Sequence, residues 1–170
     1  MEDTRIVTIK GNPMVLEGRD VTPGDAAPDV QLLDNDLKPV RLSSYRGKTC
    51  IISSIPSLDT PVCDMETRRF NDAAVKLGGD VVILTVSMDL PFAQKRWCGA
   101  AGVDRVVTLS DHRSAEFGRL YGVLIKDLRL LARCVFVVDR EGIVRYKQLV
   151  KEVSQEPDYE AVLTAVASLA

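Results

Sequence analysis

The residue with the clearest chemical potential is Cys63. It follows Thr60 and Pro61, and these come after an apolar run, residues 50–55, that is typical of a buried strand. Threonine is a favoured helix N-cap and proline is favoured at the first helical position, so a helix is predicted to begin here with Cys63 in its first turn. Unpaired backbone N–H groups and the positive end of the helix dipole lie in that turn. Both favour the thiolate, which is the nucleophilic form of cysteine.

The other cysteines have weaker claims to reactivity. Cys50 and Cys134 each open an apolar, β-branched run, which predicts inert core thiols. Cys98 follows Trp97 on an amphipathic segment, where a packing role explains the residues equally well. Cys63 is itself open to that interpretation on its residues alone, because free cysteines are among the most buried residue types.

Other catalytic arrangements find little support. A Cys/His hydrolase would need the single histidine, His112, as its base, but His112 stands in a polar stretch typical of a solvated loop. The sequence has no Cys-x-x-Cys or Cys-x-x-His pair of the kind that binds zinc. It also has no glycine-rich phosphate loop of a recognised form. We therefore expect neither a metal nor another cofactor.

Composition indicates an ordinary globular protein. The chain has 170 residues, of which 46% are hydrophobic and 27% charged, and its formal net charge is -2. This length suits one domain, residues 1–170. Because no basic patch stands out and no stretch approaches the roughly 20 apolar residues of a membrane span, nucleic acid and membrane are poor partners. The first residues lack the basic and apolar regions of a signal peptide, so a cytoplasmic location is expected.

The elements around Cys63 alternate between strands and helices. Further strands are predicted in an N-terminal β-hairpin within residues 1–18, at 30–33, 39–42, 80–86 and 105–109, and in a hairpin of 134–138 with 143–149. Further helices are predicted from the cap-type residue Asp89 to Gly99 or Gly102, at 114–121 and at 157–169, and Gly78-Gly79 is predicted to close the first helix. Residues 122–131 are interpreted as an irregular connection. This order predicts an α/β fold with a central sheet of mixed direction.

Pro56, Thr60 and Cys63 are spaced as Pro-x-x-x-Thr-x-x-Cys. This pattern matches the peroxiredoxin signature around the reactive cysteine, and the chain resembles one subfamily in particular, the thiol peroxidases, which are atypical two-cysteine peroxiredoxins. The similarity continues through Asp89-Leu90-Pro91-Phe92-Ala93-Gln94 and Cys98-Gly99-Ala100 to Glu156-Pro157-Asp158-Tyr159-Glu160, so it covers nearly the whole chain. Two departures stand out: Trp97 replaces the usual phenylalanine, and Pro61 replaces a smaller residue.

The resemblance implies a thioredoxin-like fold and roles for five residues. Cys63 would be the peroxidatic cysteine that becomes a sulfenic acid, and Cys98 the resolving cysteine that then forms an intramolecular disulfide with it. Thr60 would place its hydroxyl near the sulfur and the peroxide, and Pro56 would shield the sulfur from water. Arg133 would stabilise the thiolate, although on residues alone it is typical of a surface arginine at a strand end.

The same resemblance implies a peroxidase for hydrogen peroxide and organic hydroperoxides, recycled by thioredoxin or a similar dithiol, and a homodimer. A disulfide needs Cα atoms within about 7 Å. Since both cysteines are predicted on helices, we expect these helices to unwind or shift on oxidation. Three other functions stay open: a redox sensor that uses the same cysteine pair, a thiol–disulfide oxidoreductase, which would usually carry Cys-x-x-Cys, and a scaffold with buried cysteines.

Overall fold

A seven-stranded mixed sheet forms the centre of the molecule, which this computed structural model describes at residues 5–77, 80–103 and 105–169. The strands are β1 (Ile6–Ile9), β2 (Asn12–Glu17), β3 (Gln31–Leu33), β4 (Pro39–Arg41), β5 (Thr49–Ser54), β6 (Val81–Ser87), β7 (Val106–Ser110), β8 (Leu124–Ile125), β9 (Leu130–Leu131), β10 (Cys134–Val138) and β11 (Val144–Leu149). The helices are α1 (Pro61–Leu77), α2 (Pro91–Ala101), α3 (Glu116–Leu120) and α4 (Tyr159–Ala167), with a short 3-10 helix at Leu42–Tyr45.

The order of the central sheet is β11-β10-β5-β6-β7-β3-β4. Strands β5, β6 and β7 run parallel, and the remaining neighbours pair antiparallel. This arrangement confirms the predicted α/β class with a mixed sheet. No helix in the described part of the chain is long and apolar enough to cross a membrane.

Strand β5 contributes side chains to two cores, one on each face of the sheet. Every residue of β5 is buried. Ile51 packs in a cluster with Phe70 of α1, whereas the next residue, Ile52, packs in a cluster with Phe117 and Tyr121. Because successive side chains of a strand point to opposite faces, this division requires helices on both sides of the sheet. The carboxyl end of β5 leads directly into the loop before α1.

Residues 122–131 contain two short strands, β8 and β9, so the prediction of an irregular connection is wrong at those strands. Strands β8 and β9 pair with each other, and β8 also pairs with β2 of the N-terminal hairpin. The result is a separate four-stranded sheet of order β1-β2-β8-β9. Two-residue strands are too short to show alternation, and β8 is held by β2, which lies more than 100 residues earlier in the chain, so the local pattern carried no signal.

Helix ends differ from the predicted ones at several points. Helix α3 begins only at Glu116, because Ala115 takes a left-handed conformation with φ 55°. Helix α2 ends at Ala101 with Gly102 as its C-cap, but Asp89 is not its N-cap, because Leu90 occupies that position without a side-chain hydrogen bond. Helix α4 begins later than predicted, after Asp158 caps it by accepting from Ala161 N. The predicted helix stop at Gly78-Gly79 lies outside the described residues.

Candidate active site

Cys63 lies in the first turn of α1, as the capping pattern predicted. The helix begins at Pro61, and the Thr60 hydroxyl oxygen accepts a hydrogen bond from the Cys63 N–H at 3.3 Å. The same hydroxyl donates to the Ser57 carbonyl at 3.0 Å. Thr60 is therefore the N-cap residue, and its hydroxyl is held next to the residue that carries the sulfur.

Arg133 reaches the sulfur from the residue just before β10. Its side chain is buried, with 1% of the residue exposed, so the interpretation as a surface arginine is wrong. One terminal nitrogen, Nη2, donates to Cys63 Sγ at 3.2 Å. The other, Nη1, donates to Glu66 Oε2 at 2.5 Å, and Nε donates to the Val153 carbonyl at 3.0 Å. The guanidinium is thus fixed on three sides with one edge presented to the sulfur.

Glu66 completes the charge arrangement. It lies one helical turn after Cys63, is buried, and accepts a second hydrogen bond from the Ser53 hydroxyl at 2.7 Å. Burial raises the pKa of Glu66, and its contacts with Arg133 and Ser53 oppose that shift. Burial alone would lower the pKa of Arg133, but the charges of Cys63 and Glu66 raise it above its ordinary value. The guanidinium therefore stays charged beside the sulfur.

The wall around the sulfur is apolar. Cys63 has no exposed surface and packs with Ile55, Leu58 and the half-buried ring of Trp97. Pro56 is also buried, in the loop that joins β5 to α1. Trp97 therefore packs against the cluster that contains Cys63, although it precedes Cys98 in the chain. A low-polarity wall strengthens the attraction between a thiolate and the guanidinium.

Asp89 holds the loop before α1 in place. Its carboxylate accepts hydrogen bonds from the Ser57 hydroxyl at 2.7 Å, the Leu58 N–H at 2.9 Å and the Ser87 hydroxyl at 2.8 Å. Neither Asp89 nor Glu66 was among the predicted site residues. Both carried a signal: Glu66 shares a helix face with Cys63, and Asp89 follows the strand parallel to β5, so both strands end at one edge of the sheet.

Cys98 lies on α2 and is partly exposed. Its sulfur is 3.4 Å from the Thr108 hydroxyl of β7, and that hydroxyl donates to Asn35 Oδ1 at 2.9 Å. All four cysteines are free in this structure. The sulfurs of Cys98 and Cys63 therefore have different hydrogen-bond partners before any disulfide forms.

The remaining thiols and the histidine lie apart from this arrangement. Burial raises the pKa of Cys50 to about 11 and that of Cys134 to about 12, which keeps both as thiols at neutral pH. His112 lies in a turn between β7 and α3. Across residues 5–77, 80–103 and 105–169, no group of three or more His, Cys, Asp or Glu side chains is arranged to hold a metal ion.

Comparisons with known proteins agree on one family. Residues 22–163 match the sequence model of the Redoxin family. A thiol peroxidase of Oceanobacillus iheyensis is 57% identical over 158 residues, which cover 93% of this chain and 96% of that protein. A thiol peroxidase of Bacillus subtilis is 54% identical over 163 residues, which cover 96% of this chain and 97% of that protein.

Among solved structures, a peroxiredoxin-like protein from Aquifex aeolicus matches with a TM-score of 0.92 and 41% sequence identity over 98% of each chain. This match confirms the predicted thioredoxin-like, peroxiredoxin fold. By sequence and by structure, the chain belongs to the redoxin family, among the thiol peroxidases.

Proposed function

We propose that the protein is a thiol-dependent peroxidase that reduces hydrogen peroxide and organic hydroperoxides with Cys63 as its nucleophile. One observation carries this proposal: the Arg133 guanidinium donates to Cys63 Sγ at 3.2 Å in a buried, largely apolar setting. An ionised sulfur is stabilised there, and the thiolate is the reactive form. The family membership points to the same reaction.

In the first step the thiolate attacks one peroxide oxygen. A sulfur–oxygen bond forms, the O–O bond breaks, and the leaving oxygen takes up a proton to depart as water or an alcohol. Arg133 is already oriented by Glu66 and the Val153 carbonyl, so it offers donors to the developing negative charge without rearranging. Thr60, held by its bond to the Cys63 N–H, is placed to orient the peroxide. Pro56 limits the access of water to the sulfur.

In the second step the Cys98 thiol attacks the Cys63 sulfenic acid. The S–S bond forms, and the sulfenic oxygen leaves as water with the thiol proton. For the two sulfurs to meet, Cys63 must leave Arg133, and Cys98 must leave Thr108. The helices α1 and α2 therefore shift or unwind locally during this step.

In the third step an external dithiol reduces the disulfide, and thioredoxin is the reductant that we propose. Thiol–disulfide exchange through a mixed disulfide is the chemistry that such a partner supplies. A protein that works through reduced thiols fits the cytoplasm, where thiols are kept reduced. A homodimer is supported by large apolar side chains exposed on the two site helices and just before α2, namely Met65 at 50%, Leu90 at 52% and Phe92 at 66%.

Turnover with a continuous thiol supply tests the proposal. With thioredoxin, its reductase and NADPH present, we expect hydrogen peroxide to be consumed for many equivalents. Cys63→Ser should abolish this consumption. Consumption that stops after about one equivalent would instead identify a redox sensor. Reduction of protein disulfides without any response to peroxide would identify a thiol–disulfide oxidoreductase.

A further inference from the structure

A hydrogen bond links the neighbours of the two cysteines that the proposed reaction must join. Asp64 follows Cys63 on α1, and Trp97 precedes Cys98 on α2. The indole Nε1–H of Trp97 donates to Asp64 Oδ1 at 2.8 Å, and both side chains are partly buried. This bond therefore connects the two helices at the point where each carries its cysteine.

Arg68, on the next turn of α1, also bridges the two helices. Its Nε donates to the second oxygen of Asp64 at 3.0 Å, and its Nη1 donates to the Ala101 carbonyl at the end of α2 at 3.2 Å. The guanidinium carbon of Arg68 also lies 5.6 Å from the centre of the Trp97 ring, within the range of a cation–π contact. We call Asp64, Arg68 and Trp97 the clasp.

The clasp fixes the directions of both cysteines. Consecutive residues of an α-helix project about 100° apart, because there are 3.6 residues in each turn. While Trp97 points at Asp64, Cys98 is turned toward Thr108, where its sulfur is found. While Asp64 points at Trp97, Cys63 is turned toward Arg133. With both helices intact, the closed clasp keeps each sulfur on its own partner.

We propose that Asp64, Arg68 and Trp97 control how fast Cys98 resolves the sulfenic acid on Cys63. The inference rests on the proposed function. The reaction remains the condensation of sulfenic acid and thiol to a disulfide and water, and the clasp must open before it. A sulfenic acid that waits longer is exposed longer to a second peroxide, which adds another oxygen to give the sulfinic acid and releases water or an alcohol. The clasp thus sets the peroxide level at which the enzyme inactivates itself.

Two single variants and their combination test this role. Trp97→Phe removes the indole donor and keeps an aromatic ring, whereas Asp64→Ala removes the acceptor. Asp72→Asn, at an exposed position on the same helix, is the matched control. Each reduced protein is mixed with one equivalent of peroxide, quenched with acid, alkylated and analysed by mass, which times sulfenic acid and disulfide separately.

We expect both single variants to form the disulfide faster by about three- to tenfold, as loss of one charge-assisted hydrogen bond between partly exposed groups implies. The double variant should be no faster than the faster single variant, because Asp64→Ala already removes the hydrogen bond that Trp97→Phe removes. At high peroxide, a variant that forms the disulfide faster should accumulate a smaller fraction of sulfinic acid. Trp97 is the only tryptophan, so in the wild type its fluorescence should change at the rate of disulfide formation.

Two kinds of result would overturn the inference. One refutes the clasp alone, and the other also refutes the proposed role of Cys98. A disulfide that forms at the wild-type rate in every variant, or effects of the two changes that simply add, would refute the clasp alone. A wild type that keeps its sulfenic acid and forms no Cys63–Cys98 bond would refute the resolving role of Cys98 and the clasp with it.

Discussion

Burial alone does not distinguish the proposed nucleophile, Cys63, from Cys50 and Cys134, because all three are buried. Cys50 and Cys134 lie among apolar groups, and burial raises the pKa of each. Cys63 has the Arg133 guanidinium at 3.2 Å instead. In a setting of low polarity an ion pair interacts several times more strongly than in water. One fixed cation therefore distinguishes the proposed nucleophile from the two other buried thiols.

The first prediction concerns Arg133. Arg133→Lys keeps the charge, but an ammonium group cannot serve Cys63, Glu66 and the Val153 carbonyl in the same geometry. We expect the rate of sulfenic acid formation to fall by about 100-fold, as when one preorganised donor is lost from an active site. Stopped-flow mixing with peroxide measures this rate.

A paired change separates the chemical role of Arg133 from its contribution to stability. Arg133→Met leaves Glu66 buried without its cation and should cost about 3–5 kcal/mol in urea unfolding. Arg133→Met combined with Glu66→Met should recover much of that stability, because apolar pairs often replace buried ion pairs without loss. Peroxide reactivity should stay low in both. Wild-type reactivity in either protein would show that the sulfur does not depend on the guanidinium.

Among the elements, the start of α1 positions the site most directly. The loop after β5 is held by Asp89, which accepts from Ser57 and Leu58, and Thr60 then caps the helix. Each of these bonds satisfies a polar group in or beside a buried loop, and leaving such a group without a partner would cost free energy of folding. These bonds hold the turn that carries Cys63 in place at the start of α1.

The cap gives the second prediction. Thr60→Val keeps the shape of the side chain but removes the acceptor for the Cys63 N–H. We expect the free energy of unfolding to fall by about 1 kcal/mol and the peroxide reaction to slow. Thr60→Ser retains the hydroxyl and should behave like the wild type in both measurements. Equal behaviour of the valine and serine variants would show that the Thr60 hydroxyl contributes to neither stability nor the peroxide reaction.

Asp111 gives the third prediction, at the start of α3. Its carboxylate is buried and accepts from the N–H groups of Phe117 and Gly118 at 3.0 and 2.9 Å. Burial raises the pKa of Asp111 from 3.8 to about 6, against the effect of these bonds. Because the folded-state pKa is the higher one, the protonated group stabilises the fold. That contribution is complete below about pH 4 and is lost as pH rises through about 6.

Asp111→Asn cannot titrate and should lack this dependence. Relative to the variant, the wild type should lose about 2 kcal/mol of unfolding free energy between pH 4 and pH 7. Urea unfolding of both proteins across that range measures the difference, and other titrating groups cancel in the comparison. A difference that is constant with pH would mean that Asp111 ionises normally in the folded protein.

Across the whole molecule, the small sheet joins the N-terminal hairpin to β8 and β9, which lie more than 100 residues later in the chain. Arg5 donates to the carbonyls of Gly122 and Gly18 at 2.7 and 2.6 Å, which binds the chain just before β1 to the segment before β8. Gly122 has φ 69°, and a Cβ there would clash with the backbone carbonyl of Arg19 and the Arg5 guanidinium. The close approach depends on glycine.

Gly122→Ala is the fourth prediction. Strain from the left-handed backbone and the clash together should lower the free energy of unfolding by about 3 kcal/mol. Gly102→Ala is the matched control, since its φ is 67° but no atom lies within 4 Å of the added Cβ. It should cost about 1 kcal/mol from the backbone alone. Similar losses for the two variants would mean that the sheet does not pack as described.

Local patterns predicted the core of the fold and the place of Cys63. The apolar run of β5, the cap at Thr60 and the helix after it are all encoded within short windows. The partnership of Arg133 with Cys63 joins residues far apart in the chain, so on its residues alone Arg133 looked like a surface side chain. Strand β8 was not predicted for the same reason, since it pairs with β2 far away in the chain, and β9 in turn pairs with β8.

The most direct test is to map the cysteines of the reduced protein after one equivalent of peroxide. Peptide mass analysis after alkylation should find one disulfide, between Cys63 and Cys98, with Cys50 and Cys134 alkylated. The Cys98→Ser protein should stop at a sulfenic acid on Cys63. Oxygen or a disulfide on Cys50 or Cys134 in place of Cys63 would contradict the account, since it would place the nucleophile away from Arg133.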